Sequence, residues 1–273
     1  MNFQLNDLNL NYRVVGEGVP ILMLHGRPTD HESMMGAFEP IFCEREGWQR
    51  VYVDLPGMGA TTGGSWLQSN EDVVDVMVAF VEEVLGKRPF LITGFSYGGH
   101  IGRGLLHKMH EQVAGMMLFV PAISGADTRI LGQHRVFGDE TALFAEQYPP
   151  QLVDFLKSVV VVHEAAVIAR QGEILAGLHR ADHEMLARIG NSYDFSEPVD
   201  AIAPSYEKPV LILTGKQDTV TGYEQAGELA KQFPRATYAV LDRAGHGLHT
   251  EQSALFNAFI HEWLDRVEEE MAR

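Results

Sequence analysis

Short apolar runs alternate with segments of helical periodicity along most of this chain, and this alternation restricts its fold more than any other feature. The runs are bounded by turn residues, as expected of strands that are buried on both faces. Between them, apolar residues recur at steps of three and four, for example in the segment 70–85. The pattern predicts an α/β fold with a mostly parallel sheet between two layers of helices. The predicted strands are Val19–Leu24, Val51–Val53, Pro89–Thr93, Val113–Val120, Val210–Leu213 and Thr237–Leu241.

Two segments depart from this alternation. At the N-terminus, Phe3–Leu5 and Leu10–Val15 flank a turn dipeptide and predict an antiparallel hairpin at the edge of the sheet. Between 123 and 204 the sequence is helical in character, and Val159–Val162 within it is predicted to form a buried helical turn. We therefore expect a core formed by residues 1–122 and 205–273, with residues 123–204 inserted as a helical cap.

The composition excludes several classes of protein. With 45% apolar residues in a chain of 273, enough surface can be buried to exclude intrinsic disorder. Lys and Arg total 21 against 37 Asp and Glu, a net charge of −16. A nucleic-acid partner is therefore not expected, because phosphate binding needs clustered basic residues.

The environment of the protein is predicted from its cysteine content and its hydrophobicity. The single cysteine, Cys43, excludes an internal disulfide and is predicted to be a core residue. The longest stretch without a strongly polar residue, Val113–Ile123, has 11 residues, whereas a membrane span needs ~20. The first residues show no basic region followed by an apolar block. We expect a soluble, cytoplasmic protein without a membrane span, and a homodimer is left open.

The most informative motif is Gly94-Phe95-Ser96-Tyr97-Gly98-Gly99, which lies between a predicted strand and a predicted helix. In this context G-x-S-x-G predicts a sharp turn that exposes the serine at the carboxyl edge of the sheet. Glycines are needed there because the tight turn crowds the positions two residues before and after the serine. Ser96 is therefore a candidate nucleophile, placed where the next helix begins and favours negative charge.

A serine nucleophile needs a base and a group that orients the base. Asp218 follows the predicted strand Val210–Leu213, and His246 lies in a glycine-flanked loop after Thr237–Leu241. The order Ser, Asp, His is the one expected for this type of sheet. The 28 positions from Asp218 to His246 hold one helix and one strand, so the two loops are predicted to be neighbours.

Acyl transfer also needs hydrogen-bond donors for an oxyanion. The residue after the nucleophile, Tyr97, offers one backbone amide. The loop after Val19–Leu24 reads His25-Gly26-Arg27-Pro28, and the Arg27 amide is the natural second donor because Pro28 has no N–H.

With these motifs in place, the sequence resembles the α/β-hydrolase superfamily, in its compact bacterial branch with a helical lid. The resemblance covers nearly the whole chain and implies an eight-stranded, mostly parallel sheet with a cap inserted after the sixth strand. It implies Ser96 as nucleophile, His246 as base and then acid, and Asp218 as its partner, with Arg27 and Tyr97 as oxyanion donors. No metal or organic cofactor is implied. The motifs are His25-Gly26, Asp54-Leu55-Pro56-Gly57-Met58-Gly59, Gly94–Gly99, Asp218 and Gly245-His246.

Differences from the motifs of related enzyme families make several of their activities less expected for this chain. A serine at the elbow disfavours haloalkane dehalogenases and epoxide hydrolases, and the loop after His25 lacks the glycine-rich motifs of proline iminopeptidases and carbon–carbon bond hydrolases. The expected function is a serine hydrolase that cleaves a small to medium carboxylic ester. An acyl-lactone hydrolase, a carbon–carbon bond hydrolase and, from a different class, a ligand receptor on the same fold are the alternatives.

Charge suggests which ester is preferred. The net charge of −16 favours a neutral or cationic ester, unless Arg27 or arginines of the cap such as Arg170 and Arg180 reverse the local field. His179 and His183 lie four apart on a predicted helix, but without a third ligand they are interpreted as a surface pair rather than a metal site. Asp54 and its turn are interpreted as structural.

Overall fold

The computed structural model describes residues 1–175, 177–191 and 193–273, so that positions 176 and 192 of the predicted cap lie outside the described residues. Strands and helices alternate through the core as the sequence predicts. The strands are β1 Asn2–Leu5, β2 Leu8–Val15, β3 Val19–Leu24, β4 Trp48–Val53, β5 Phe90–Phe95, β6 Val113–Phe119, β7 Val210–Gly215 and β8 Ala236–Leu241. The helices are α1 His31–Phe42, α2 Asn70–Phe80, α3 Tyr97–Met109, α4 Leu143–Gln147, α5 Pro150–Val159, α6 Ala165–Leu175, α7 His183–Gly190, α8 Glu224–Ala230, α9 Leu248–Glu251 and α10 Ser253–Met271.

The strands form one eight-stranded sheet in the order β1-β2-β4-β3-β5-β6-β7-β8. The N-terminal hairpin is antiparallel, and β2 pairs with β4 in antiparallel register. From β4 to β8 every neighbouring pair is parallel. The predicted mostly parallel α/β sheet is confirmed. Because parallel strands share one carboxyl edge, the loops after β3, β5, β7 and β8 lie along the same side of the molecule.

Helices cover both faces of the sheet. One apolar layer joins the sheet to α2 and α3, and the other joins it to α1 and α10. The helix α2 begins as predicted, with Ser69 and Asp72 forming a reciprocal capping box, and continues through a π-helical turn to Gly86. In α10 the buried Trp263 donates its indole N–H to the Pro209 carbonyl at 3.1 Å, which fixes this helix to the base of β7.

The segment between β6 and β7 contains α4 to α7 and a separate apolar cluster, but one prediction for it is wrong. The helix α5 ends at Val159, and Val160 is extended, with φ −103° and ψ 129°. Val162 pairs with Phe137 in an isolated parallel bridge. The backbone amides of Val161 and Val162 donate to the carboxylate of Glu251, so a distant side chain replaces their helical acceptors.

Two further predictions need correction. Cys43 is exposed rather than buried, because it follows the last turn of α1 on the side away from the sheet. His179 and His183 are not on one helix, since His179 lies in a 3-10 turn that ends at Arg180 and His183 begins α7. Among the residues that the structure describes, none of the helices has the length and the apolar character needed to cross a lipid bilayer.

Candidate active site

The turn between β5 and α3 holds Ser96 in a strained conformation. Its φ of 51° and ψ of −111° lie in a region that residues with a side chain rarely adopt. Glycine at position 98 makes the turn possible, because a Cβ there would lie 2.1 Å from the carbonyl oxygen of Leu24. A Cβ on Gly94 would likewise lie 2.7 Å from the carbonyl oxygen of Gly98. The motif therefore lets the start of α3 approach the end of β3, and Ser96 projects from the carboxyl edge of the sheet.

Ser96, His246 and Asp218 form a continuous hydrogen-bonded chain. Ser96 Oγ lies 3.0 Å from His246 Nε2, and His246 Nδ1 lies 3.0 Å from Asp218 Oδ2. The three residues come from the ends of β5, β8 and β7, which the parallel sheet brings together. The Asp218 side chain is fully buried, whereas that of His246 retains 13% exposure. The imidazole can therefore accept the Ser96 proton while its other nitrogen donates to a carboxylate.

Asp218 is held as a carboxylate by its surroundings. Burial alone would raise its pKa, but the neighbouring His246 and the donated hydrogen bonds outweigh burial and lower the pKa of Asp218 below its ordinary value. Its Oδ1 accepts from the amides of Val220 and Thr221 at 2.7 and 3.0 Å, and its Oδ2 accepts from the Thr221 hydroxyl at 2.7 Å. An ionised Asp218 fixes the His246 tautomer that leaves Nε2 free to accept a proton.

The two residues whose amides are predicted as oxyanion donors line the same cavity as Ser96. Neither the Arg27 nor the Tyr97 backbone N–H donates to an acceptor among the described residues. Gly26 packs against the elbow, since a Cβ there would lie 3.3 Å from the Ser96 Cβ. Two unpaired amides beside a nucleophile can bind a developing negative charge.

His25 fixes the loop that carries Arg27. Its Nε2 accepts from the Leu55 amide at 2.9 Å, so its Nδ1 carries the proton and donates to the Gly26 carbonyl at 2.8 Å. Complete burial lowers the pKa of His25, which keeps the ring neutral. This histidine is therefore a structural support for the loop.

Glu251 is a residue of the site region that the sequence did not reveal. It lies in α9, is 6% exposed, and accepts from the Val161, Val162 and Gly245 amides at 2.5, 3.0 and 2.7 Å. The His246 amide also donates to the Val159 carbonyl at 3.0 Å. Glu251 therefore joins the segment after α5 to the loop that carries His246. Nothing in the local sequence distinguishes it from a solvated helix carboxylate.

Two cavities share Arg27 and Pro28 in their walls, and Ser96 lines one of them while His246 lines the other. The larger, of about 540 Å³, is lined by Ser96, Tyr97, Arg27, Arg129 and residues of α7. The smaller, of about 50 Å³, is mostly apolar and is lined by His246, Arg27, Phe95, Phe155 and their neighbours. Both are partly enclosed by the segment between β6 and β7, so a ligand divided between them would place its reacting atoms at the hydrogen-bonded chain.

One group of side chains has the composition of a cation site. Ligand atoms of Asp30, His31 and Asp54 lie within 4.8 Å of one another. Arg180 is ion-paired with Asp30, and His31 Nδ1 lies 2.8 Å from Asp54. Asp54 also accepts from the Ala60 amide at 2.8 Å, so it stabilises its own turn, as interpreted from the sequence. These carboxylates are already engaged by the protein's own donors, and a cation would have to displace Arg180.

The family of this chain is identified by a sequence model that covers most of the sheet and all the residues of the candidate site. A sequence model of the alpha/beta hydrolase fold matches residues 19–252. The chain belongs to this family. An alpha/beta superfamily hydrolase from Oenococcus oeni PSU-1 superposes on this α/β hydrolase with a TM-score of 0.87, at 26% identity, over 98% of this chain and 99% of that chain.

Curated relatives have similarly low sequence identity. The AB hydrolase superfamily protein YisY of Bacillus subtilis is 22% identical over 262 residues, which cover 90% of this α/β hydrolase and 91% of YisY. The monoacylglycerol lipase ABHD6 of Mus musculus is 26% identical over 252 residues, which cover 87% of this chain and 73% of that lipase. The relatives include esterase- and lipase-like hydrolases.

Proposed function

We propose that this α/β hydrolase is a serine esterase that cleaves a small to medium carboxylic ester through an acyl-enzyme on Ser96. The observation that carries the proposal is the chain of hydrogen bonds from Ser96 Oγ through His246 to the buried Asp218. The unpaired amides of Arg27 and Tyr97 beside Ser96 support it. A relative that is named a monoacylglycerol lipase, and so acts on an ester, agrees with it.

In the first half of the reaction, Ser96 Oγ attacks the ester carbonyl while His246 Nε2 takes the hydroxyl proton. The negative charge that forms on the carbonyl oxygen is bound by the Arg27 and Tyr97 amides, and removal of one such donor typically costs about 10²–10³ in kcat. The tetrahedral intermediate then collapses. The carbon–oxygen bond to the alcohol breaks, and the alcohol leaves with the proton that His246 held.

In the second half, a water molecule takes the place of the alcohol. His246 Nε2 removes one of its protons as its oxygen attacks the acyl carbon, and the Ser96 ester bond breaks. The proton on His246 returns to Ser96 Oγ, and a carboxylic acid is released. Throughout, Asp218 stabilises the imidazolium through the Nδ1 hydrogen bond without taking its proton.

Hydrolysis of 4-nitrophenyl acetate by the protein and by Ser96→Ala tests this proposal. The variant should lose at least 10³-fold in kcat while its circular dichroism stays unchanged, because only the nucleophile is removed. Ser205→Ala replaces an exposed serine and should retain full activity. Equal turnover by the protein and Ser96→Ala would contradict the proposal, and failure of the protein to turn over any ester or lactone while binding a ligand tightly would favour the receptor alternative.

A further inference from the structure

The larger cavity carries a local charge opposite to that of the whole chain. Its wall contains the side chains of Arg27, Arg129 and His183, and none of the described residues that line it is an aspartate or a glutamate. The chain as a whole has 37 acidic against 21 basic residues. Acidic residues would therefore be expected around a cavity by chance, and their absence from this wall is informative.

The two arginines of the wall lack carboxylate partners. Arg27 forms no ion pair or side-chain hydrogen bond with the described residues, and its guanidinium reaches α7, where a Cβ on Gly190 would lie 3.1 Å from Arg27 Nη1. Arg129 donates to the carbonyls of Ser124 and Val220 at 3.1 Å each and lies over the Tyr193 ring at 5.4 Å. Backbone carbonyls and a ring position the Arg129 guanidinium, but they do not neutralise its charge.

Two carboxylates close to the cavity in sequence are engaged by backbone amides. Asp194 accepts from the Gly125 amide at 2.9 Å, and Asp182 caps α7 through the Met185 amide at 3.0 Å. In contrast, Arg180 of the cap is ion-paired with the fully buried Asp30. The guanidinium groups of Arg27 and Arg129 are therefore available to an anion from outside the protein, and guanidinium matches the geometry of a carboxylate well.

The two cavities also differ in which catalytic group they contain. His246, which must protonate the departing alcohol, lines the small cavity of about 50 Å³ and not the large one. The alcohol must lie within hydrogen-bond reach of His246 Nε2 when it leaves. This favours a small alcohol on the His246 side and places the acyl part in the larger cavity, which contains Arg129, with Arg27 in the wall that the two cavities share.

We infer that the preferred substrates are esters of a small alcohol whose acyl part ends in a second anionic group, such as the monoester of a dicarboxylic acid. This inference rests on the proposed esterase function. In the reaction, water supplies a hydroxyl to the acyl carbon and a proton to the alcohol, and the acyl–oxygen bond breaks. The new carboxyl group then loses its proton to solvent, so that the products are a dicarboxylate, a proton and a neutral alcohol. An anionic acyl group as the preferred substrate feature replaces the preference for a neutral or cationic ester that the net charge of the whole chain suggests.

Monomethyl glutarate and methyl pentanoate form a matched pair for the test, because they share the methyl ester and the acyl chain length and differ in the terminal group. Methanol release at low salt gives kcat/KM for each. The protein should prefer monomethyl glutarate by at least tenfold, and Arg129→Gln should lower that ratio by tenfold or more. The ratio is independent of general damage to the catalytic groups. Arg135→Gln is the control, since it removes the same charge from an exposed side chain outside the cavity wall and should leave the ratio unchanged.

The outcomes separate this inference from the proposed function. A preference for methyl pentanoate, or a ratio that Arg129→Gln leaves unchanged, would overturn the anionic acyl site while the esterase stands. If the protein hydrolyses neither ester nor 4-nitrophenyl acetate, the esterase proposal fails and calorimetry with glutarate decides the inference. Binding that is weakened tenfold in Arg129→Gln supports the anion site, and absence of binding to the protein contradicts it.

Discussion

Replacing Glu251 with glutamine removes a buried ionisable group from below the His246 loop while keeping the size of the side chain. Burial, the largest influence, and the nearby charge of Asp218 raise the pKa of Glu251, three backbone hydrogen bonds lower it, and the net result is a rise from 4.5 to about 7. The native protein therefore holds a proton on Glu251 between pH 5 and 7, where the unfolded chain has already released it.

The size and the sign of the effect follow from this difference. A rise of the pKa from 4.5 to about 7, at 1.36 kcal/mol per unit, corresponds to about 3 kcal/mol. Because the native state binds the extra proton, this contribution to stability is fully present below pH 4.5 and is lost as the pH rises through 7. In Glu251→Gln the side chain stays neutral at every pH. Its NH₂ group faces a backbone N–H that donates a hydrogen bond to Glu251 in the protein, so two donors face each other. The variant therefore carries a cost of about 1–3 kcal/mol that does not depend on pH.

Urea unfolding followed by tryptophan fluorescence at pH 5, 6.5 and 8 measures the effect in both proteins. Other groups also make the stability depend on pH in this range. Burial lowers the pKa values of His100 and His249 from 6.5 to about 3, so these two residues titrate between pH 5 and 8 only in the unfolded chain. Their contributions are common to both proteins and cancel in the difference. The stability of the protein minus that of Glu251→Gln should fall by about 2.5 kcal/mol from pH 5 to pH 8.

A difference in stability that stays constant across this pH range would refute the reasoning, because it would mean that Glu251 has the same pKa in the folded and unfolded states. Glu228→Gln provides the control. Glu228 is 71% exposed and, among the residues that the structure describes, is ion-paired with Lys231 alone, so its replacement should not introduce a pH-dependent change of this size.

Two further predictions concern the site and its turn. Asp218→Asn should lower kcat by about a thousandfold or more with the fold retained, because the amide stabilises the His246 tautomer that cannot accept a proton; a loss of less than tenfold in ester turnover would contradict this role. Gly98→Ala places a methyl group 2.1 Å from a β3 carbonyl oxygen and should cost about 3 kcal/mol in urea unfolding. Gly36→Ala, where no atom lies within 4 Å of the added Cβ, should be neutral or stabilising, and equal stability of the two variants would refute the steric account.

The sequence predicted those parts of the molecule that depend on periodicity and on short motifs. The strands, the capped start of α2 and the strand–turn–helix context of Ser96 are local patterns, and the structure has each of them, although the edge strand β8 is only partly buried. The shared edge of a parallel sheet then predicts that the segments with Asp218 and His246 lie beside Ser96, as their hydrogen bonds show.

The features that the sequence did not predict depend on distant contacts. The chain leaves the helix after Val159, and Glu251, about ninety positions later, accepts from the amides of Val161 and Val162; no local pattern contains that information. Cys43 follows an amphipathic stripe without belonging to it, so periodicity assigned it to the wrong side of α1. The charge of the large cavity is likewise a property of the folded chain, since Arg27 and Arg129 are about a hundred positions apart in the sequence.

The most direct test of the central claim is to identify the atom that becomes acylated. A fluorophosphonate reacts with an activated serine hydroxyl and releases fluoride, so peptide mass spectrometry after labelling reports the nucleophile. The account predicts one adduct, on Ser96, that is absent from Ser96→Ala and forms far more slowly in Asp218→Asn. An adduct on another residue that persists in Ser96→Ala, or labelling of Ser96 at an unchanged rate in Asp218→Asn, would contradict it.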